Sequence, residues 1–380
     1  LSSSATLAMS QKSNELKAQG VDVINLSVGE PDFFTPDPIK AAAKKAIDNN
    51  FSFYSPVPGF LDLRKAIVAK LKRENGLDYT VDQIIVSNGA KQSICNTLLC
   101  LVDPGDEVIV PAPYWVSYVE MVKLAEGTNV ILPAGIDQNF KITPEQLEAA
   151  ITPKTKALIL CTPSNPTGSV YSHDELEALA DVLARHPQVV VISDEIYEHI
   201  NYVGRHASIA SFPVLRDRVA VINGVSKAYA MTGWRIGYAL GAPEIIAAMT
   251  KIHQYTMLCA PITAQVAAIE ALRHGEKYMK KMVAEYDRRR SFIYNGFQKM
   301  GLKCFEPKGA FYIFPDITAT GLSSVEFAEK LLMSEHVALV PGSAFGTCGE
   351  GYIRCSYATS LNQIDEALQR IGNFVEKHTK

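Results

Sequence analysis

The sequence predicts an α/β fold: a large domain with a mainly parallel, seven-stranded sheet covered by helices, and a smaller α+β domain drawn from both ends of the chain. Three observations predict it. Seven apolar runs, near Ile84, Val108, Asn129, Ala157, Val189, Val219 and Ile236, read as buried strands, and most are separated by helical patterns. The residues with chemical potential sit where those runs end, which is where open α/β sheets bind ligands. After the last run, a long charged helical stretch from Glu276 to Met300 bridges to short strands and helices. These, with the N-terminal segment, make the second unit. The expected divisions are 1–35 (arm and part of the small domain), 36–285 (large domain) and 286–380 (small C-terminal domain).

Composition narrows the function classes. With 47% hydrophobic and 20% charged residues the chain should fold and stay soluble. A net charge of −3 gives no reason to expect nucleic acid or an anionic membrane as partner. No apolar run reaches the length of a bilayer span. The seven cysteines are an odd number without a CxxC pair, so they read as free thiols in a reducing compartment. The histidines show no metal spacing, and no metal is expected. The start, LSSSATLAMSQKSN, lacks the order of a secretory signal. A cytoplasmic protein is expected, with an organellar one open if a leader was removed.

In chain order, Thr6 precedes a helical pattern carrying Met9 and Leu16. Val21 to Asp32 reads as a short strand ending at Gly29, with Pro31 stopping further pairing. Pro38 to Asn50 is a helix with its proline in the first turn. Phe51 to Phe60 is a Pro/Gly loop that exposes aromatics, Tyr54 among them, and Leu61 to Glu74 is an amphipathic helix. A strand, Ile84 to Val86, runs into Ser87-Asn88-Gly89-Ala90-Lys91-Gln92 and then an apolar helix. Strand, small-residue turn and helix start form a phosphate cradle, because free N–H groups at the helix N-terminus point at the anion.

Val108 to Val110 is followed by the stretch APYWVSY, which carries Trp115, either plain core or a plate for a flat ring. Ala157 to Leu160 feeds CTPSNPTG, whose prolines and glycine fix a turn and leave Asn165 as the reaching polar group. Helix His173 to Arg185 precedes strand Val189 to Ile192, which ends in Ser193-Asp194-Glu195-Ile196-Tyr197. Asp194 is either a helix N-cap or a functional carboxylate, and Tyr197, three residues on, shares its helical face.

The most specific stretch is NGVSKAYAMTGWRIG, from Asn223 to Gly237. The run Val219 to Ile222 leads in, Gly224 and Ser226 break the strand, and Lys227 lands on a tight turn. Arg235 follows eight residues later, before the run Ile236 to Leu240. Ser226 and Arg235 suit a phosphate. An amine beside a phosphate site is what a Schiff-base cofactor such as pyridoxal phosphate requires. Helices Pro243 to Tyr255 and Pro261 to His274 follow. In the tail, strands Phe311 to Phe314, Val337 to Val340 and Tyr352 to Ser356 alternate with helices Ser324 to Ser334 and Leu361 to Lys377. Arg354 lies mid-strand between apolar residues, which means either a salt-bridged structural arginine or a fork for a substrate carboxylate.

The stretch around Lys227 resembles the lysine signature of the class I aminotransferases, pyridoxal-phosphate enzymes of fold type I. Further matches run from about Val21 to Ser360, and the resemblance is to the bacterial-type aspartate and aspartate/prephenate branch. The resemblance implies a homodimer with shared active sites. In it, Lys227 carries the cofactor, Asp194 pairs with the pyridinium N–H, and Asn165 and Tyr197 reach the phenolic oxygen. Trp115 covers the ring, while Gly89, Ala90, Lys91, Ser226, Arg235 and Tyr54 of the neighbouring subunit hold the phosphate end. Gly29, Trp115, Asn165 and Arg354 line the substrate, Arg354 gripping its α-carboxylate, and Thr6 and Lys91 meet a distal carboxylate. The implied activity is amino transfer between an L-amino acid, aspartate or glutamate first, and 2-oxoglutarate or oxaloacetate, with prephenate as a further substrate. Alternatives within the fold are an aromatic or alanine-type aminotransferase and a β-lyase. A transcription regulator would add an N-terminal DNA-binding domain, for which motifs starting near residue 20 leave no room.

Overall fold

The computed structural model describes residues 1–2 and 4–379. Seven strands build the main sheet: β2 (Ile84–Ser87), β3 (Glu107–Ala112), β4 (Thr128–Pro133), β5 (Thr155–Cys161), β6 (Val190–Asp194), β7 (Val219–Gly224) and β8 (Gly237–Leu240), preceded in the chain by the short β1 (Ile24–Asn25). Their spatial order is β2-β8-β7-β6-β5-β3-β4. Strand β8 runs antiparallel to both neighbours and every other pair is parallel. The mainly parallel sheet of seven strands stands as expected. Full burial of β2, β7 and β8 explains their unbroken apolar sequence.

Helices cover both faces. The arm α1 (Ala5–Ala18) precedes α2 (Asp37–Asp48) and α3 (Leu61–Lys70). Then come α4 (Ala90–Leu101), α5 (Ser117–Leu124), α6 (Pro144–Ala150), α7 (His173–Ala184), α8 (Pro243–Thr256) and α9 (Ile262–His274). One face packs Ile39, Leu63, Leu147, Leu176 and Ala264 against the sheet, and the other packs Ile94, Leu98, Val122 and Met249. Sequence periodicity missed α5 and α6, because each is about two turns long and too short to show a stripe.

A second core gathers the chain's two ends. Long α10 (Glu276–Lys299) leads to β9 (Tyr312–Ile313), α11 (Ser324–Glu335), β10 (Val337–Ala338), β11 (Val340–Pro341), β12 (Ile353–Ser356) and α12 (Leu361–His378). β1 pairs with β10, and β12 lies antiparallel between β11 and β9. Phe297, Phe327, Leu331, Ile364 and Phe374 fill this core, with Met9 of α1.

Three local expectations are corrected. The strand expected to reach Gly29 ends at Asn25, because its partner β10 offers only two residues. The single strand expected over 337–340 is two strands in different sheets, split at Leu339. No helix follows Asp194. The chain makes successive turns, and Asp194 and Tyr197 face one side while Glu195 and Glu198 are buried on the other.

Candidate active site

The carboxyl ends of the parallel strands converge on a cavity of about 500 Å³. β2 delivers Ala90 and Lys91 at the start of α4, β3 delivers Trp115, β5 delivers Asn165 and β6 delivers Asp194 and Tyr197. β7 delivers Ser226 and Lys227, the turn before β8 delivers Arg235, and β12 sends in Arg354. Gly29 and Thr6 close the cavity from the N-terminal segment. Of the residues singled out from sequence, two stand apart. Gly89 sits just behind the wall, and Tyr54 is 81% exposed and away from its own chain's cavity.

Lys227 Nζ donates to the Gly29 carbonyl oxygen at 2.6 Å. Burial lowers its pKa to about 8, Glu30 opposing and Arg235 and Arg354 adding to the fall. An amine so placed carries a far larger neutral, nucleophilic fraction at neutral pH than an exposed lysine. Asp194, 3% exposed, is pushed up to about 6 by burial, with the Tyr118 hydroxyl and the Ile196 N–H pulling the other way. Tyr118 donates to its Oδ2 at 2.5 Å and the Ile196 N–H to its Oδ1 at 3.3 Å. Asp194 is therefore mostly ionised at neutral pH and waits for a cation. The hydroxyls of Tyr197 and Tyr312 lie 2.7 Å apart.

Arg354 is 2% exposed. Its Nη1 donates to Asn165 Oδ1 at 3.0 Å and its Nη2 to the Ser27 carbonyl at 2.6 Å, while Nε has no partner. The guanidinium stacks 4.6 Å over the Tyr312 ring. Lys91 Nζ lies 4.9 Å over the Trp115 ring, its pKa lowered by burial and then by Arg235. Four cations, Lys91, Lys227, Arg235 and Arg354, thus line one cavity. Among the described residues none of the four has a carboxylate within 4.0 Å. A salt-bridged structural Arg354 is thereby excluded: its charge is buried without a counter-ion, which is costly unless an anion arrives.

One end of the cavity is shaped by missing side chains. Gly89 has φ 87° and ψ 157°, a region essentially reserved for glycine. A Cβ there would stand 2.1 Å from Arg235 Nη2, and one on Gly237 would stand 2.2 Å from the Ala90 nitrogen. The first N–H groups of α4 have no intrahelical acceptor. Arg235 is held across this opening by the Thr232 and Asn88 carbonyls at 2.8 and 3.1 Å. The result is a cradle of backbone donors and one guanidinium that admits a compact anion.

Sequence reasoning missed Tyr118 and Tyr312, which touch Asp194 and Tyr197. Tyr118 lies inside the quoted stretch APYWVSY, but nothing marked it above its neighbours; Tyr312 is hidden in the apolar run Phe311 to Phe314. Also unforeseen was the network behind the Asp194–Tyr197 turn. Buried Glu198 pairs with fully buried Lys70 and accepts from Asn75 and Asn223 at 2.8 and 2.7 Å. Glu195 accepts from Ser193 and Ser208 and meets His206 at 2.9 Å.

The family model described as "Aminotransferase class I and II" matches residues 21–371. The chain belongs to this aminotransferase family. It is 48% identical over 381 residues to a probable aspartate/prephenate aminotransferase of Rickettsia bellii, spanning 97% of this chain and 95% of that protein. Among solved structures, the aspartate aminotransferase of Rhizobium meliloti superposes with a TM-score of 0.96 at 41% identity, covering 99% of this chain and 97% of that one. The Thermus thermophilus aspartate aminotransferase with maleate gives 0.95 at 42%, covering 98% and 97%. The aminotransferase moves an amino group between an amino acid and an oxo acid, and its family membership implies dependence on pyridoxal phosphate. No helix among the described residues is long and apolar enough to cross a membrane.

Proposed function

We propose that this aminotransferase binds pyridoxal 5'-phosphate at the Gly89–Arg235 cradle and Lys227, and that its preferred amino donor is a dicarboxylate, aspartate or glutamate, with prephenate as a further amino acceptor. The observation that carries the reading is the cavity in which three cations, Lys91, Arg235 and Arg354, none paired with a carboxylate, surround the partly neutral Lys227 amine. That set calls for three anionic groups: a phosphate, an α-carboxylate and a distal carboxylate.

The donor set fits the cofactor. The Ala90 and Lys91 N–H groups, Ser226 and Arg235 would hold the phosphate, and the space left by Gly89 and Gly237 admits it. Asp194 would hold the pyridinium proton, Asn165 and Tyr197 the phenolic oxygen, and Trp115 one face of the ring. When bound, pyridoxal phosphate supplies an aldehyde that condenses with amines and a protonated ring that draws electrons from the substrate α-carbon. The chain does the rest. Arg354 grips the α-carboxylate and fixes which α-carbon bond stands across the ring, favouring proton loss over decarboxylation. Lys227 would act as the base for the substrate α-proton and as the carrier that returns it to the acceptor carbon of the cofactor. Its placement on the Gly29 carbonyl keeps the amine within the cavity.

Lys91 and Thr6 lie in the same cavity as Arg354 and would meet a second carboxylate. A relative named for aspartate and prephenate and a neighbour solved with maleate, itself a dicarboxylate, support this reading. Exposed Tyr54, with Phe51 and Phe53 beside it, supports a homodimer in which Tyr54 reaches the neighbouring site. The division at residues 35 and 285 is proposed on the two cores.

Loading the protein with pyridoxal phosphate and adding aspartate should convert the visible absorbance to the amino form without releasing pyruvate or ammonia. Aspartate and glutamate should outpace alanine and phenylalanine, with arogenate testing the prephenate direction. Faster turnover of alanine or phenylalanine would remove the dicarboxylate assignment, and ammonia release would indicate a lyase.

A further inference from the structure

We infer that Tyr312 is a positioning residue whose hydroxyl aims the proton of Tyr197 into the cavity. The inference rests on the cofactor assignment above, because the group that receives that proton is the cofactor's phenolic oxygen.

Both tyrosines are buried, and their hydroxyls bond to each other at 2.7 Å. Neither hydroxyl has another hydrogen-bond partner in the described structure. Two phenols sharing one bond have one proton to spare, and where it points depends on which of them donates. If Tyr197 donated to Tyr312, the spare proton would sit on Tyr312. Around Tyr312 stands the Arg354 guanidinium, 4.6 Å from its ring and without any acceptor atom, and among the described residues the Tyr312 hydroxyl makes no hydrogen bond other than the one to Tyr197. If Tyr312 donates instead, the spare proton belongs to Tyr197, which lines the cavity beside Asn165. The cation over the Tyr312 ring makes its hydroxyl the more acidic of the pair and so the better donor; burial raises both, and Arg354 opposes it most strongly at Tyr312. Accepting one bond strengthens the bond that the same hydroxyl donates.

The backbone is built around this contact. A Cβ on Gly29 would stand 2.5 Å from the Tyr312 hydroxyl, so only glycine lets Tyr312 lie where it does. Tyr312 comes from β9 of the smaller sheet, whereas Tyr197 follows β6 of the main one. The bond therefore ties the two sheets together at the site.

The test uses holoenzyme and the pH titration of the bound cofactor's visible absorbance, a readout that a merely structural tyrosine would not move. Tyr312→Phe keeps the ring and removes the donor. Its titration midpoint should rise by about half a pH unit, because a less polarised Tyr197 stabilises the anionic oxygen less. Tyr197→Phe should move it further, and the double variant should match Tyr197→Phe alone, since Tyr312 acts only through Tyr197. A Tyr312→Phe midpoint that superposes on the wild type, or shifts that add in the double variant, would overturn the inference while leaving the cofactor assignment intact. Absence of any visible band in the wild type would overturn both.

Discussion

Replacing Arg354 by Met separates the two things a buried arginine can be. The guanidinium has no carboxylate partner in the described structure and only two hydrogen bonds, to Asn165 and Ser27. Removing it gives up about 1–2 kcal/mol of hydrogen bonding and relieves the desolvation of a lone charge. The two nearly cancel, so the melting temperature should stay within a few degrees. The cost should appear on substrate. A desolvated, forked arginine–carboxylate pair is worth about 2–5 kcal/mol when one partner is truncated, equivalent to about 30- to 5,000-fold. Thermal melts and steady-state kinetics with aspartate would measure both. The reasoning is refuted if kcat/KM per folded molecule is unchanged while stability falls by about 3–5 kcal/mol, the signature of a broken structural ion pair.

Other outcomes follow from the same structure. Glu198→Gln leaves the fully buried Lys70 ammonium with Glu74, at 3.7 Å, as its remaining carboxylate and should destabilise by about 2–3 kcal/mol in urea unfolding; a loss under about 1 kcal/mol would contradict the pairing. Gly89→Ala strains a glycine-only backbone by about 1–3 kcal/mol and drives a methyl into Arg235, so the Kd for pyridoxal phosphate should rise at least about tenfold by fluorescence titration. The folded pKa of Asp194, about 6, lies above its ordinary value of 3.8, so without cofactor the folded state holds this proton more tightly than the unfolded chain does. Stability from this group is full below about pH 4 and is lost as pH rises through about 6, a change of about 3 kcal/mol. The stability difference between cofactor-free wild type and Asp194→Asn should drift by that order between pH 4 and 7, and a flat difference would refute the shift.

Much of the fold and site was legible because strand ends carry the chemistry. Asp194, Asn165 and Lys227 each follow an apolar run that leaves few alternatives to a buried strand. The rest depended on tertiary partners. Nothing in Asp194-Glu195-Ile196-Tyr197-Glu198 says that the acids will meet Lys70 and His206 behind the sheet, and it is those bonds that favour turns over a helix there. The strand at Val21 to Gly29 read too long because carbonyls that could join a ladder serve the site instead: Ser27 accepts from Arg354 and Gly29 from Lys227. Tyr118 and Tyr312 carried no signal, since a buried tyrosine in an apolar run reads as core until its hydroxyl's neighbour is known.

The identity of the reactive amine can be measured without activity. Two lysines line the cavity, Lys227 and Lys91, and both have lowered pKa values. Borohydride reduction of protein loaded with pyridoxal phosphate, followed by peptide mapping, should place the added mass on the peptide holding Lys227 and leave Lys91 unmodified. Mass on Lys91, or spread evenly over surface lysines, would contradict the role given to Lys227.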